Sequence, residues 1–366
     1  MTVNDVARIV EQLAPLGYQE NYDNSGLSVG SPSMEVSCIL LCFDVTETVV
    51  DEAIALGANL IISHHPVIFS GLKSITGRSA VERIVLKAIQ HNIALYAAHT
   101  NLDSVPGGIN DKLCDILGLK KRQVLSPLKG QLVKVVTFVP HEQASTVREA
   151  MFAAGAGGIG RYDCCSFSSD GSGSFRASEG ANPFVGEIGQ LHVEPEARIE
   201  VVCPRIRING VVAAMVEAHP YEEVAYDIIP LENDYPKVGL GMVGELEAPV
   251  DVSDFLEMVK EKLGCSVLRF SNPHKSHIKK VAVCGGSGAS FASLAIAKGA
   301  DALVTGDVKY HSFLDYQKTL LLVDAGHFET EQFAIGVFYD FIREKIANFA
   351  VYKTELVDNP VKYLYR

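Results

Sequence analysis

Short runs of branched apolar residues alternate with stretches of helical period at both ends of this 366-residue chain, and nothing else in it constrains the fold as strongly. From residue 36, "VSCILLCFDVT" has the composition of a buried strand, "ETVVDEAIALGA" of a helix and "NLIISHH" of the next strand. "AVERIVLKAIQHN" then reads as a helix, and "IALYAAHTNLD" as a strand running into a loop. This order predicts a mainly parallel α/β sheet, in which ligands gather at the carboxyl ends of the strands.

The C-terminal part repeats the pattern with "IKKVAVCGGSGA", "SFASLAIAKGA", "DALVTGDVKYH" and "TLLLVDAGHFETE". Set over "ALGANLIISHH", the stretch "AKGADALVTGD" pairs Gly57 with Gly299, Ala58 with Ala300, Ser63 with Thr305 and His65 with Asp307. "AAHTNLD" over "DAGHFETE" pairs His99 with His327 and Asp103 with Glu331. The expectation is two related α/β lobes, residues 1–129 and 233–366. Residues 130–232 differ in character. The order is strand "LVKVVTFVP", helix "ASTVREAMFAAGA", strand "RIEVVCP", helix "INGVVAAMVEAH" and strand "VAYDIIPL". That order fits a ferredoxin-like α+β domain inserted between the lobes. Within it, "DCCSF" reads as a buried strand with small thiols. The Gly/Ser run at 168–182 reads first as a flexible loop and second as a regulatory ligand loop.

A formal net charge of −12 argues against a nucleic-acid-binding surface, leaving small molecules, metals or proteins as partners. The start, "MTVNDVARIVEQLAPLGY", is an amphipathic helix and not a signal peptide. No apolar stretch approaches the roughly 20 residues of a membrane span. Eight cysteines without a CxxC pair suit reduced thiols, and a cytoplasmic location follows as the expectation.

Chemistry-bearing residues cluster at the expected strand ends. His64 and His65 close "NLIISHH", and Pro66 forces the chain out of the strand there. An isolated pair of this kind reads as a strand cap beside a solvated neighbour, since successive strand side chains point to opposite faces. This pair is accompanied by two H-x-x-x-acid patterns, His99/Asp103 and His327/Glu331, whose members sit one helical turn apart if a helix begins there. Each pattern alone suits a local hydrogen bond. Together, at the ends of strands in two symmetric lobes, they point to a metal site of imidazoles and carboxylates, the donor set of Zn, Fe, Mn or Co. "GGSGAS" at 285–290 could cradle a phosphate but lacks the P-loop lysine, so a tight turn is preferred. Asp307, Lys309 and His311 of "GDVKYH" suit substrate contact or a salt-bridged loop equally. "HPYEE" at 219–223 reads as the end of a helix and the start of a strand.

The stretches "YDNSGLSVG", "DVTETVVDEAIALGANLIISHHP", "AAHTNLDSVPGGIND", "GLGMVGEL", "VAVCGGSGAS", "GADALVTGDVKYH" and "DAGHFETE" resemble the dinuclear-metal family of GTP cyclohydrolase I type 2 homologs, the NGG-interacting-factor-like proteins. "AMFAAGAGGIGRYDCCSF", "GANPFVG" and "AHPYEEVAYDIIPL" resemble the middle domain of its longer bacterial members, similar to PII and CutA domains. The resemblance places metal ligands at His64, His65, Asp103, His327 and Glu331, and the symmetry of the lobes adds His99 as a sixth candidate, beside them or as an occasional ligand. Tyr22, where the family often has tryptophan, is read as a packing residue.

Two divalent ions, Zn, Fe or Mn, are then expected in a cleft between the lobes, with a metal-bridging water as nucleophile and His99 as proton carrier. The implied reaction is hydrolytic attack on GTP or another phosphorylated nucleotide. The other reading, of a different class, is a non-catalytic scaffold that stores or delivers metal, with the middle domain as a PII-like sensor. The resemblance implies a ring-shaped homohexamer, which suits either.

Overall fold

The computed structural model describes residues 1–356 and 359–364. Along the chain come strands β1 (Gly26–Val29), β2 (Ile39–Cys42), β3 (Leu60–Ser63), β4 (Ala94–Ala97) and β5 (Lys120–Pro127). β6 (Leu132–Pro140), β7 (Ser166–Arg176), β8 (Leu191–Pro204) and β9 (Tyr226–Leu231) follow. Last come β10 (Gly239–Asp251), β11 (Arg269–Phe270), β12 (His277–Val283), β13 (Ala302–Thr305), β14 (Leu321–Asp324) and β15 (Val351–Lys353). The protein is mixed α/β, with three sheets among the described residues, divided into one unit of Met1–Pro127 with Pro236–Arg366 and another of Leu128–Tyr235.

In the first unit, one sheet has the order β1-β4-β3-β2-β15 and the other β11-β14-β13-β12-β10-β5. β2, β3 and β4 are parallel, as are β12, β13 and β14. β1 lies antiparallel against β4, and β11 antiparallel against β14. The two sheets therefore repeat one another over four strands, and Ser63 and Thr305, aligned in sequence, are the last residues of β3 and β13. Leu60, Ile61 and Ile62 are buried on both faces of β3, as a strand covered by helices on each side requires. Thr46 caps helix Glu47–Leu56 through the Val49 amide at 3.2 Å, and Gly57 in the left-handed region ends it, returning the chain to β3.

The second unit has one antiparallel sheet in the order β7-β8-β6-β9, with element order β-α-β-β-α-β. Val133, Val135, Ile199 and Val201 of its sheet pack on Val147, Met151, Val211 and Met215 of helices Ala144–Ala153 and Ile208–Ala218. The Gly/Ser run departs from expectation. Much of it, "SFSSDGSGSFR", is the regular edge strand β7, paired with β8 from Ser166↔Val201 to Arg176↔Leu191. An edge strand with mostly exposed side chains needs no apolar pattern, and its partner's ladder overrides the low strand propensity of glycine and serine. Cys164 and Cys165 precede that strand and are not buried in it. No helix among the described residues is long and apolar enough to cross a membrane.

Candidate metal centre

β3 ends at Ser63, whose hydroxyl donates to the His65 carbonyl at 2.7 Å, while the His65 amide donates to Phe43 O at 3.2 Å. This turn brings both adjacent imidazoles to one side, their ring centroids 4.9 Å apart. From the other sheet, the chain leaves β14, turns at Gly326 and enters the short helix His327–Glu331, which stacks the two functional side chains one turn apart. A second helix starts at Ala334. The matching segment after β4 is also helical, Thr100–Asp103 with His99 at its N-cap, where a loop was expected.

The four imidazoles are oriented alike. Nδ1 of His64 donates to Ala98 O (3.1 Å), of His65 to Asp44 (2.8 Å), of His99 to Asp23 (2.8 Å) and of His327 to Asp307 (2.7 Å). A proton fixed on Nδ1 leaves Nε2 as the free donor atom of the neutral ring, the tautomer arrangement of metal-binding histidines. Glu331 Oε2 lies 3.6 Å from His64 Nε2, 3.3 Å from His65 Nε2 and 3.0 Å from His327 Nε2. Asp103 Oδ1 is 3.8 Å from His64 Nε2, and the Nε2 atoms of His65 and His327 are 3.3 Å apart. His99 stands beside this group, its ring 5.4 Å from that of His64 and 5.3 Å from that of His65.

Three of these atoms, His64 Nε2, Asp103 Oδ1 and Glu331 Oε2, are buried with no hydrogen-bond partner among the described residues. A buried polar atom left unpaired costs about 1–3 kcal/mol, so Asp103 Oδ1 and Glu331 Oε2, each within 3.8 Å of His64 Nε2, fit a bound cation. Donor atoms of His64, His65 and Glu331 lie within 4.8 Å of one another, a group able to hold a metal ion. Without a metal ion the electrostatics differ from group to group. Burial pushes His64 below its ordinary pKa, toward the neutral form that ligates. Burial and the neighbouring Glu331 raise Asp103 well above the carboxylate range, whereas the three imidazoles outweigh burial and hold Glu331 well below it. Burial opposes a charge on His65, but Asp44 and Glu331 overcome it and push the ring up to about 10; His327, with Glu331 and Asp307, is pushed up to about 9. A cavity of 620 Å³ lined by Phe43, Asp44, His65, Asp307, His327 and Phe328, among others, opens onto the group.

The sequence matches the Duf34/NIF3 (NGG1p interacting factor 3) family over residues 1–360. The chain belongs to that family. A "GTP cyclohydrolase 1 type 2 homolog" of Halalkalibacterium halodurans is 42% identical over 358 residues, 97% of this chain and 96% of that protein. The Bacillus subtilis protein of the same name is 40% identical over 364 residues, 98% of each. Among solved structures, the Bacillus cereus protein related to NIF3 is 40% identical, with a TM-score of 0.86 over 100% of this chain and 99% of that one.

In this Duf34/NIF3 chain the structure gathers His64, His65, His327, Glu331 and Asp103, with His99 adjacent. Asp23 and Asp44, the carboxylates that orient His99 and His65, belong to no motif in the sequence beyond an acid shortly after a turn or strand end. Asp307, left open between substrate contact and a salt bridge, pairs with His327, holding φ +53° to do so. Lys309 and His311 are exposed and outside the group. The "GGSGAS" amides are committed internally: Gly285 to Asn110 Oδ1 (2.9 Å), Gly286 to Thr330 Oγ1 (3.0 Å) and Gly288 to Thr305 Oγ1 (2.8 Å), as in a tight turn. His219 bonds the Phe138 carbonyl at 3.0 Å, and the Tyr221 hydroxyl donates to Glu196 at 2.8 Å, so "HPYEE" serves packing in the second unit.

Proposed function

We propose that this protein is a dinuclear metal-dependent hydrolase acting on GTP or another phosphorylated nucleotide. The observation that carries it is the convergence of buried, unpartnered donor atoms around Glu331 Oε2. Glu331 Oε2 lies within 3.6 Å of the Nε2 atoms of His64, His65 and His327, and Asp103 Oδ1 lies 3.8 Å from His64 Nε2, which supports a pair of neighbouring sites sharing Glu331. Zn, Fe or Mn ions held there would supply Lewis acidity and activate water near neutral pH. His99, locked to Asp23 through Nδ1, is the group to move a proton. Phe43 and Phe328, 5.4 Å apart in an edge-to-face contact beside His65, give the adjoining cavity an apolar wall. The nucleotide substrate takes its support from the names of the relatives. A cytoplasmic location, a ring-shaped hexamer and a PII-like role for residues 130–232 complete the proposal on the strength of the family resemblance.

The test is metal analysis of protein purified without added metal or chelating resin, followed by GTP turnover measured by mass spectrometry. At least one ion per chain is expected, with His65→Ala and Glu331→Ala each losing metal and turnover. Bound metal with wild-type turnover no higher than in the variants retires the hydrolase and leaves a metal-binding scaffold. Folded protein with no metal retires both.

A further inference from the structure

Tyr22, expected to be a packing residue, is 62% exposed, and Phe69, also in a loop, is 50% exposed. The two rings touch, with centroids 6.4 Å apart and planes tilted by 50°. Phe69 continues the row to His99, edge to face at 6.2 Å. The pair is held in place: Asn24 Nδ2 donates to Ile68 O at 2.6 Å, tying together the segments that carry the two rings. Asp23, between Tyr22 and Asn24, accepts from the Thr100 amide at 3.0 Å and from His99 at 2.8 Å. One carboxylate thus fixes both the imidazole of the metal centre and the backbone beneath Tyr22. Partial burial and the charges of Glu20 and Asp23 raise the pKa of the Tyr22 hydroxyl. Exposed aromatic rings keep their faces wet at a cost that a flat ligand ring relieves, and such stacking tolerates any base because every base has a π face.

We infer that Tyr22 and Phe69 form a stacking platform for the planar heteroaromatic ring of a small-molecule ligand, positioning it beside His99; this rests on the hydrolase reading for the identity of the reacting end. Stacking orients the ring and so makes these two specificity-determining residues, separate from the ligand set.

The chain contains no tryptophan, so Tyr22→Trp introduces a single indole at the platform. With GTP, ATP and flavin mononucleotide as ring-bearing probes and ribose 5-phosphate as the ringless control, at least one ring compound is expected to quench the indole saturably and ribose 5-phosphate is not. Adding Phe69→Ala should weaken that affinity about tenfold, the loss of one stacked ring. Quenching absent for all three ring compounds, equal for ribose 5-phosphate, or indifferent to Phe69→Ala overturns the inference. So does a change of sedimentation mass in Tyr22→Ala with ligand affinity intact, which assigns the pair to a contact between copies. The two readings fail separately: quenching without turnover retires hydrolysis and keeps the platform, and turnover with unchanged KM in Tyr22→Ala and Phe69→Ala does the reverse.

Discussion

At the scale of single residues, four imidazoles meet with their Nδ1 atoms committed to four different acceptors. The acceptors are as much a part of the site as the rings. Asp44→Ala is expected to lower metal affinity about 10- to 100-fold in chelator competition, because His65 is then free to rotate and to change tautomer. Unchanged affinity would show that the Asp44 bond does not position the ring. The same charges predict a pH dependence of the metal-free protein. Burial opposes protonation of His65 and His327, but Glu331 with Asp44 or Asp307 pushes them up to about 10 and about 9. A histidine raised above its unfolded value of about 6.5 adds stability that is complete below that pH and is lost as pH climbs through the folded values. The thermal midpoint of the stripped protein should therefore fall between pH 7 and 10, with Glu331→Gln giving a flatter curve. A parallel fall in both proteins contradicts the assignment.

At the scale of elements, the site depends on how strands end. β13 closes at Thr305, and the next residue, Gly306, lies against the backbone of the β14 exit: a Cβ there would stand 2.7 Å from the His327 amide nitrogen and 2.8 Å from Gly326 C. That neighbour is main chain and has no rotamer to offer, so Gly306→Ala should destabilise by about 1–3 kcal/mol, as overpacking does, and lower metal stoichiometry as well. Ile62→Ala, inside fully buried β3, should cost about 2–5 kcal/mol in denaturant melts with metal stoichiometry preserved in the folded fraction. Metal loss in both, or in neither, would break the separation between strand core and strand end. The parallel strands were legible from their apolar runs because burial on both faces removes polar residues. β7 was not, since its side chains are mostly exposed and its register is set by β8.

At the scale of the whole molecule, Leu128–Tyr235 leaves and re-enters the first unit at paired strands, with Gly239 opposite Pro127. A short turn can replace residues 128–235 across that pair. The shortened protein is expected to fold, melt cooperatively and keep the metal stoichiometry of the full chain; loss of metal in folded protein would show that the site needs the excised unit. Residues 128–235, with their own buried core, are expected to fold alone, which circular dichroism through a thermal melt would show.

The sequence by itself determined the α/β alternation, the two matching strand-and-turn patterns and the candidates His64, His65, His99, Asp103, His327 and Glu331, because burial and donor chemistry both restrict residue type. Only the tertiary structure decided which carboxylates orient which imidazoles, that Asp103, His64 and Glu331 each bury a polar atom unpaired among the described residues, and that Tyr22 faces outward beside Phe69. Asp23 is 76 residues from His99, and His327 is 262 from His65. A contact across such separations is set by how sheets and turns pack, and no local pattern of residues encodes it.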